Sequence, residues 1–255
     1  MLEAFGISDP GLVRKGNEDG LICNDPLRLY VVADGMGGHL AGEVASRLAI
    51  EAVEGFIRRS HEDSDFSWPY GIDPQLTLGG NRLRTAVHLA NRRVFRAAES
   101  CDDYTGMGTT MTAVLVSDDR VAYAHVGDSR LYALDADGLR QVTRDDTWVA
   151  TILANDPSIT AADLARHPMR HVLTNVLGAR DQVDAQVAEF RLPADALFLV
   201  CSDGLYGMVP DADLEKILRA GGPLDETGRR LVQAAKDGGG HDNITAVLVR
   251  NIVEP

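Results

Sequence analysis

The chain has 255 residues, 45% of them hydrophobic and 25% charged, and a formal net charge of -13. That is enough apolar material for a large core without staples, and the acidic balance argues against nucleic acid or an anionic membrane as partner, since both need basic patches. Cys23, Cys101 and Cys201 are scattered and odd in number, no leader-like stretch opens the sequence, and no apolar run approaches the ~18 residues of a membrane span, so a reducing, cytoplasmic location is expected.

Residues 1–25 read as short polar and glycine-broken pieces, with a strand over Leu21-Ile22-Cys23. After a turn at Asn24-Asp25-Pro26, a second strand runs from Leu27 to Ala33 and ends at Asp34. The glycine-rich turn Gly35-Met36-Gly37-Gly38-His39 leads into a helix whose apolar face carries Val44, Ala45, Leu48, Ala49, Ala52, Val53, Phe56 and Ile57. A second helix is predicted from about Leu83 to Ala98, antiparallel to the first.

From Gly108 the pattern switches to period two. Strands are predicted over Thr109–Ser117, Arg120–Val126 and Leu131–Leu134, with a hairpin turn at Asp135–Gly138. Residues 144–177 read as a surface excursion with two short helices, Thr147–Leu153 and Ala161–Arg166, the second capped by Thr160 with Asp163 in its first turn. Strands follow at Val183–Leu192 and Ala196–Cys201, helices at Asp211–Leu218 and Leu224–Lys236, and a last strand at Ile244–Val249. With no linker or repeat in view, residues 1–255 are expected to form one domain.

Three acids stand where a strand run ends or is interrupted: Asp34, Asp128 and Asp203. Asp242 precedes the last strand, and Glu18-Asp19 precedes the first predicted one. Acids at neighbouring strand ends gather at one edge of a sheet, where they repel unless protons or cations compensate. Oxygen-only donors suit Mg²⁺ or Mn²⁺, and a glycine after an acid lets a backbone carbonyl join them. A lone Asp-Gly is most often only a turn; the joint pattern carries the information.

Arg14 is the candidate anion binder, because a guanidinium holds two phosphate oxygens at once and stays charged. His39, His125, His171 and His241 are candidate proton donors, with His125 inside an apolar strand better read as structural. No Cys/His cluster has zinc-ligand spacing, and Gly35–Gly38 lacks the Lys-Ser/Thr ending of a phosphate-binding P-loop.

In order along the chain, Arg14-Lys15-Gly16-Asn17-Glu18-Asp19, Asp34-Gly35-Met36-Gly37-Gly38-His39, Gly108-Thr109-Thr110-Met111, Val126-Gly127-Asp128-Ser129-Arg130, His167-Pro168, Val172 to Gly178, Ser202-Asp203-Gly204-Leu205 and Asp242-Asn243-Ile244-Thr245 resemble the motifs of the metal-dependent serine/threonine protein phosphatases, the PPM or type 2C class, in its short bacterial form. The resemblance implies an α+β fold, a four-layer α-β-β-α sandwich of two antiparallel sheets flanked by helix pairs, with a flap at about 145–174. It implies hydrolysis of phosphoserine and phosphothreonine in proteins by a metal-bridging water, opposing a Ser/Thr kinase in bacterial signalling, in some members in type VI secretion control.

The implied site has Asp34 bridging two Mn²⁺ or Mg²⁺ ions, Glu18, Asp19, the Gly35 carbonyl, Asp203 and Asp242 as further ligands, Asp128 with Asp203 at a third ion, and Arg14 on the phosphate. Two positions depart from the family pattern. Met36 stands where some members have a histidine proposed as general acid, which leaves His39 or a water for that role. Asp145-Asp146-Thr147 stands where bacterial members commonly have Asp-His-Ser. The expected partners are phosphoprotein substrates of a monomer. The alternatives are a phosphoprotein-binding module without turnover and a phosphoesterase for small molecules.

Overall fold

In the computed structural model, which describes residues 1–38, 40–63, 67–156, 158–164 and 167–252, the period-two segments pair into two antiparallel sheets. The strands are β1 (Leu2–Asp9), β2 (Asp19–Asn24), β3 (Leu29–Met36), β4 (Gly108–Thr109), β5 (Met111–Ser117), β6 (Arg120–Val126), β7 (Arg130–Asp135), β8 (Gly138–Gln141), β9 (Gln186–Arg191), β10 (Leu197–Cys201) and β11 (Ile244–Asn251). One sheet has the order β1-β11-β10-β7-β8. The other has the order β2-β3-β5-β6-β9, with β4 beside the end of β3.

The helices are α1 (Ala41–Glu62), α2 (Leu78–Ser100), α3 (Trp148–Asn155), α4 (Ala161–Leu164), α5 (Asp203–Tyr206), α6 (Asp211–Arg219) and α7 (Leu224–Asp237). Arg82 reaches the Ser60 carbonyl and Arg93 reaches Glu51, so α1 and α2 run antiparallel.

Three apolar layers hold these elements together. Alternate strand residues Tyr30, Val32, Val114, Leu131, Phe198, Val200, Val247 and Val249 fill the space between the sheets. The opposite faces, Val31, Ala113 and Ala124 on one sheet, meet Ala45, Ala49, Val53, Val87, Ala90 and Val94 of α1 and α2. Leu199, Ala246 and Leu248 on the other meet Leu214, Leu231 and Ala235 of α6 and α7. Each large side chain buried this way stabilises by about 1.5–3 kcal/mol, so the four-layer sandwich follows from strands apolar on both faces.

Several expectations shift. The first residues form a full edge strand, β1, paired with β11 from Leu2↔Asn251 to Asp9↔Ile244. β3 does not stop before Asp34 but continues through it, with Asp19↔Asp34 on one side and Gly35↔Thr109 on the other. Thr160 donates to the Asp163 carboxylate from both its amide and its hydroxyl, so the acid caps the turn, not the threonine oxygen. The continuation of α4 toward Arg166 lies outside the described residues, and so does His39.

Candidate metal centre

The strand ends converge on one cleft of about 320 Å³, lined by Glu18, Asp34, Gly35, Asp128, Asp203 and Asp242, with Arg14 at its mouth. Asp34 enters from β3, Asp128 from the turn between β6 and β7, Asp203 from the start of α5, and Asp242 from the turn before β11. A Cβ on Gly35 would lie 2.0 Å from the Gly42 carbonyl, so only glycine lets the first turn of α1 close over this strand end. A Cβ on Gly204 would lie 2.0 Å from the Asn243 carbonyl, which fixes Asp203 against the Asp242 turn in the same way.

Asn243 is the hub that joins the two ends of the chain. Its Oδ1 accepts from the Glu18 amide at 2.8 Å, and its Nδ2 donates to the Pro10 and Gly16 carbonyls at 3.1 and 2.9 Å. The Asp34 amide donates to Thr110 Oγ1 at 3.0 Å. The Glu18 carbonyl accepts from Ser46 of α1 at 2.7 Å. These bonds place the acids through their backbones and neighbours, without using the Asp34 or Asp203 carboxylates.

The electrostatics show what those oxygens lack. Burial, followed by the charges of Asp19, Asp203, Asp128 and Asp242, pushes the Asp34 carboxyl well above the ordinary range. By surface area Asp34 is half-buried. Burial and then the Asp242 charge raise the Asp203 carboxyl, offset in part by its neighbour Asp34. Burial, then Asp203 and Asp145, raise Asp128 to about 7. Burial raises Glu18 as well, offset in part by Arg14 and by the Gly42 amide at the start of α1.

Two buried carboxylate oxygens, Asp203 Oδ1 and Asp19 Oδ1, have no hydrogen-bond partner. Buried unpaired oxygens crowded by like charge fit divalent cations, which supply the missing partner and the missing charge. As they stand in this structure, no three His, Cys, Asp or Glu side chains among the described residues are close enough together to hold a metal ion. An open set of carboxylates completed by water suits a hard cation such as Mg²⁺ or Mn²⁺ better than a closed protein cage would.

Most of the sequence-predicted site residues therefore meet. Asp19 does not reach the cleft wall. It lies behind Asp34, where its Oδ2 accepts from Ser202 at 2.7 Å and Thr245 at 2.6 Å, and burial raises its carboxyl to about 6. Arg14 Nη2 donates to Asp242 Oδ2 at 2.7 Å while its guanidinium stays exposed. His125 is structural: Thr112 and the Arg144 carbonyl hold its two nitrogens in the core. His171 and Leu173 line the cleft from the 145–174 excursion, and His241 is exposed. Sequence reasoning gave no role to Thr110, Ser202, Asn243 or Thr245, although each sits inside a motif it singled out.

The sequence pattern of the protein phosphatase 2C family matches residues 17–248. The chain is 38% identical over 250 residues to the serine/threonine protein phosphatase PstP of Mycobacterium tuberculosis, with 97% of the chain and 44% of PstP covered. It is 35% identical over 255 residues to the serine/threonine phosphatase stp of Listeria innocua, with 97% of the chain and 95% of that protein covered. It thus spans less than half the length of PstP and nearly all of stp. A crystal structure of PstP superposes with a TM-score of 0.85 at 35% identity, covering 99% of both chains. The PstP catalytic domain in complex with two manganese ions gives a TM-score of 0.81 at 36% identity, again covering 99% of both. With its acids gathered on one cleft and that likeness along almost its whole length, the chain belongs to the protein phosphatase 2C family.

Proposed function

We propose that this chain hydrolyses phosphoserine and phosphothreonine in proteins, opposing a Ser/Thr kinase in bacterial signalling. The observation that carries the reading is the convergence of Glu18, Asp34, Asp128, Asp203 and Asp242 on one cleft with Arg14 at its mouth. Glu18, Asp34, Asp203, Asp242 and the Gly35 carbonyl would hold two Mn²⁺ or Mg²⁺ ions, and Asp128 with Asp203 a third. Asp19 stands behind them, its unpartnered Oδ1 next in line. When bound, such ions supply Lewis acidity and a water acidic enough to attack phosphorus near neutral pH.

The chain's own residues do the rest. Arg14 already grips one oxyanion, Asp242, so its exposed guanidinium is poised to take phosphate oxygens as well. Ser202 and Thr245 hold Asp19 at the angle that keeps Asp34 in place across the β2–β3 pair. Met36 lines the cleft and donates no proton, which leaves water, or His171 in the same wall, to protonate the leaving oxygen. The excursion at 145–174 acts as a flap within a single domain. The acidic surface fits a cytoplasmic monomer without nucleic-acid or membrane partners, and no helix among the described residues is long and apolar enough to cross a membrane.

The test is turnover of a phosphothreonine peptide with Mn²⁺ or Mg²⁺, with chelator, and by Asp242→Asn. Metal-dependent release of phosphate that both chelation and the substitution abolish is expected. Full turnover in chelator overturns the reading, and so does metal binding without hydrolysis of any phosphopeptide.

A further inference from the structure

The mouth of the cleft is more apolar than an acidic chain would suggest. Nine large apolar side chains are exposed among the described residues, and four lie at the chain ends or in residues 72–78. The other five, Leu12, Val13, Leu40, Met169 and Val172, fall within three residues of a side chain or glycine that lines the cleft. Scattered exposed leucines are ordinary, but three separate segments bringing them to one site are not.

Each segment is held there by the backbone. The Leu12 amide donates to the Gly240 carbonyl at 2.8 Å, which fixes it beside the Asp242 turn. Met169 and Val172 close one turn, with the Val172 amide on the Met169 carbonyl at 3.0 Å, and the Val172 carbonyl accepts from Trp148 at 2.9 Å. Leu40, 70% exposed, stands at the start of α1. With Ala41, Val44 and Tyr104 it forms the apolar side of a groove of about 640 Å³ that begins at Gly38, next to the cleft-lining Gly37, and whose other side is Asp102, Asp103 and Thr105.

We propose that this broken apolar rim is a docking surface for the substrate protein, taking large apolar side chains that flank the phosphorylated serine or threonine. It rests on the phosphatase reading and adds a sequence preference to it. Arg14 and bound cations would hold the phosphate itself, but a chain of net charge -13 offers the flanking peptide no general long-range attraction, which leaves neutral contacts around the cleft to bind it. Val13 and Val172 are chain neighbours of the cleft-lining Arg14 and His171, at the site that the phosphate must enter, which sets the occupant as the chain carrying that phosphate.

The experiment compares two phosphothreonine peptides, one with leucine and valine on both sides of the phosphothreonine and one with serine and glycine there, and an aryl phosphate that cannot reach the rim. Wild type is expected to favour the apolar peptide by about tenfold in kcat/KM, the equivalent of one side chain partly removed from water. Leu12→Ser, Leu40→Ser and Val172→Ser should each cut that preference severalfold through KM, with aryl phosphate turnover within about twofold of wild type, as surface changes leave the fold intact. Equal turnover of both peptides by wild type, or a preference that none of the three substitutions moves, overturns the docking rim and leaves the phosphatase reading standing. Failure to hydrolyse either peptide overturns both. A dimer in sedimentation at assay concentration that Leu40→Ser dissolves assigns the rim to a second copy of the chain instead.

Discussion

The Gly127 amide donates to the Asp146 carboxylate at 3.1 Å, and the Asp146 amide donates back to the Gly127 carbonyl at 2.6 Å. The same carboxylate accepts from Asn175 Nδ2 at 2.8 Å, and the Asp146 carbonyl accepts from the Thr174 amide at 2.8 Å. Asp146 thus ties both legs of the excursion to the turn that carries Asp128. Asp146→Ala leaves the Gly127 amide unpaired and Asn175 Nδ2 with only its bond to the Asp184 carbonyl, and should cost about 1–3 kcal/mol in denaturant unfolding, with faster hydrogen exchange at Trp148 and Thr174. Asp146→Asn keeps one acceptor and should cost less.

The cleft acids set a pH dependence with a definite sign. Asp128 sits at about 7 in the folded chain against an ordinary 3.8. Between those values the native state keeps a proton that the unfolded chain has lost, so in chelator Asp128 removes stability as pH rises through about 4 to 7 and no more above it. Asp128→Asn deletes that contribution. In thermal melts with chelator, its midpoint should gain on wild type from pH 5 to pH 8. Excess Mn²⁺ should narrow or reverse the gap at pH 8.

Metal binding should be measurable without turnover. A ligand that binds only the folded chain, at a hundredfold excess over its Kd, adds about 2.7 kcal/mol of stability. Wild type should show an upward melting shift of that order with Mn²⁺. Asp34→Asn and Asp242→Asn should lose most of the shift along with their phosphatase activity, and should match or exceed wild-type stability in chelator, since each removes one of several repelling charges.

Gly35→Ala tests the backbone, not the charge. The new methyl would lie 2.0 Å from the Gly42 carbonyl and 2.7 Å from that of Glu18, both main-chain atoms that cannot swing aside. The first turn of α1 must move, at a cost of at least about 2 kcal/mol by overpacking, and Mn²⁺ affinity should fall with it. A variant with wild-type melting and metal binding would show that α1 does not depend on this contact.

Asp34, Asp128 and Asp203 were legible because each interrupts an apolar run, and that signal survives without neighbours. Arg120–Val126 was legible to the residue because its alternation is local. β1 was not: Leu2–Asp9 is half-buried, holds Gly6, and is a strand only because residues some 240 positions away pair with it. The end of β3 was misplaced because an Asp-Gly reads as a turn when its partner Thr109 cannot be seen. Asp19 matched a ligand motif, but only the fold shows Ser202 and Thr245 occupying its oxygen. Hydroxyls carry no sequence pattern of their own, so their roles stayed hidden inside motifs read for their acids.

The pairing of β1 with β11 and the reach of Asn243 back to Glu18 have a consequence for synthesis. Asp34 and its neighbours leave the ribosome some two hundred residues before Asp242 and the hub that positions Glu18. A nascent chain stopped short of Asp242 has one sheet without its second strand and an arginine with no partner. It can collapse around α1 and α2, yet it holds no finished site. The site is thereby withheld from any chain released before Asp242, and its assembly waits on a slow, long-range strand pairing.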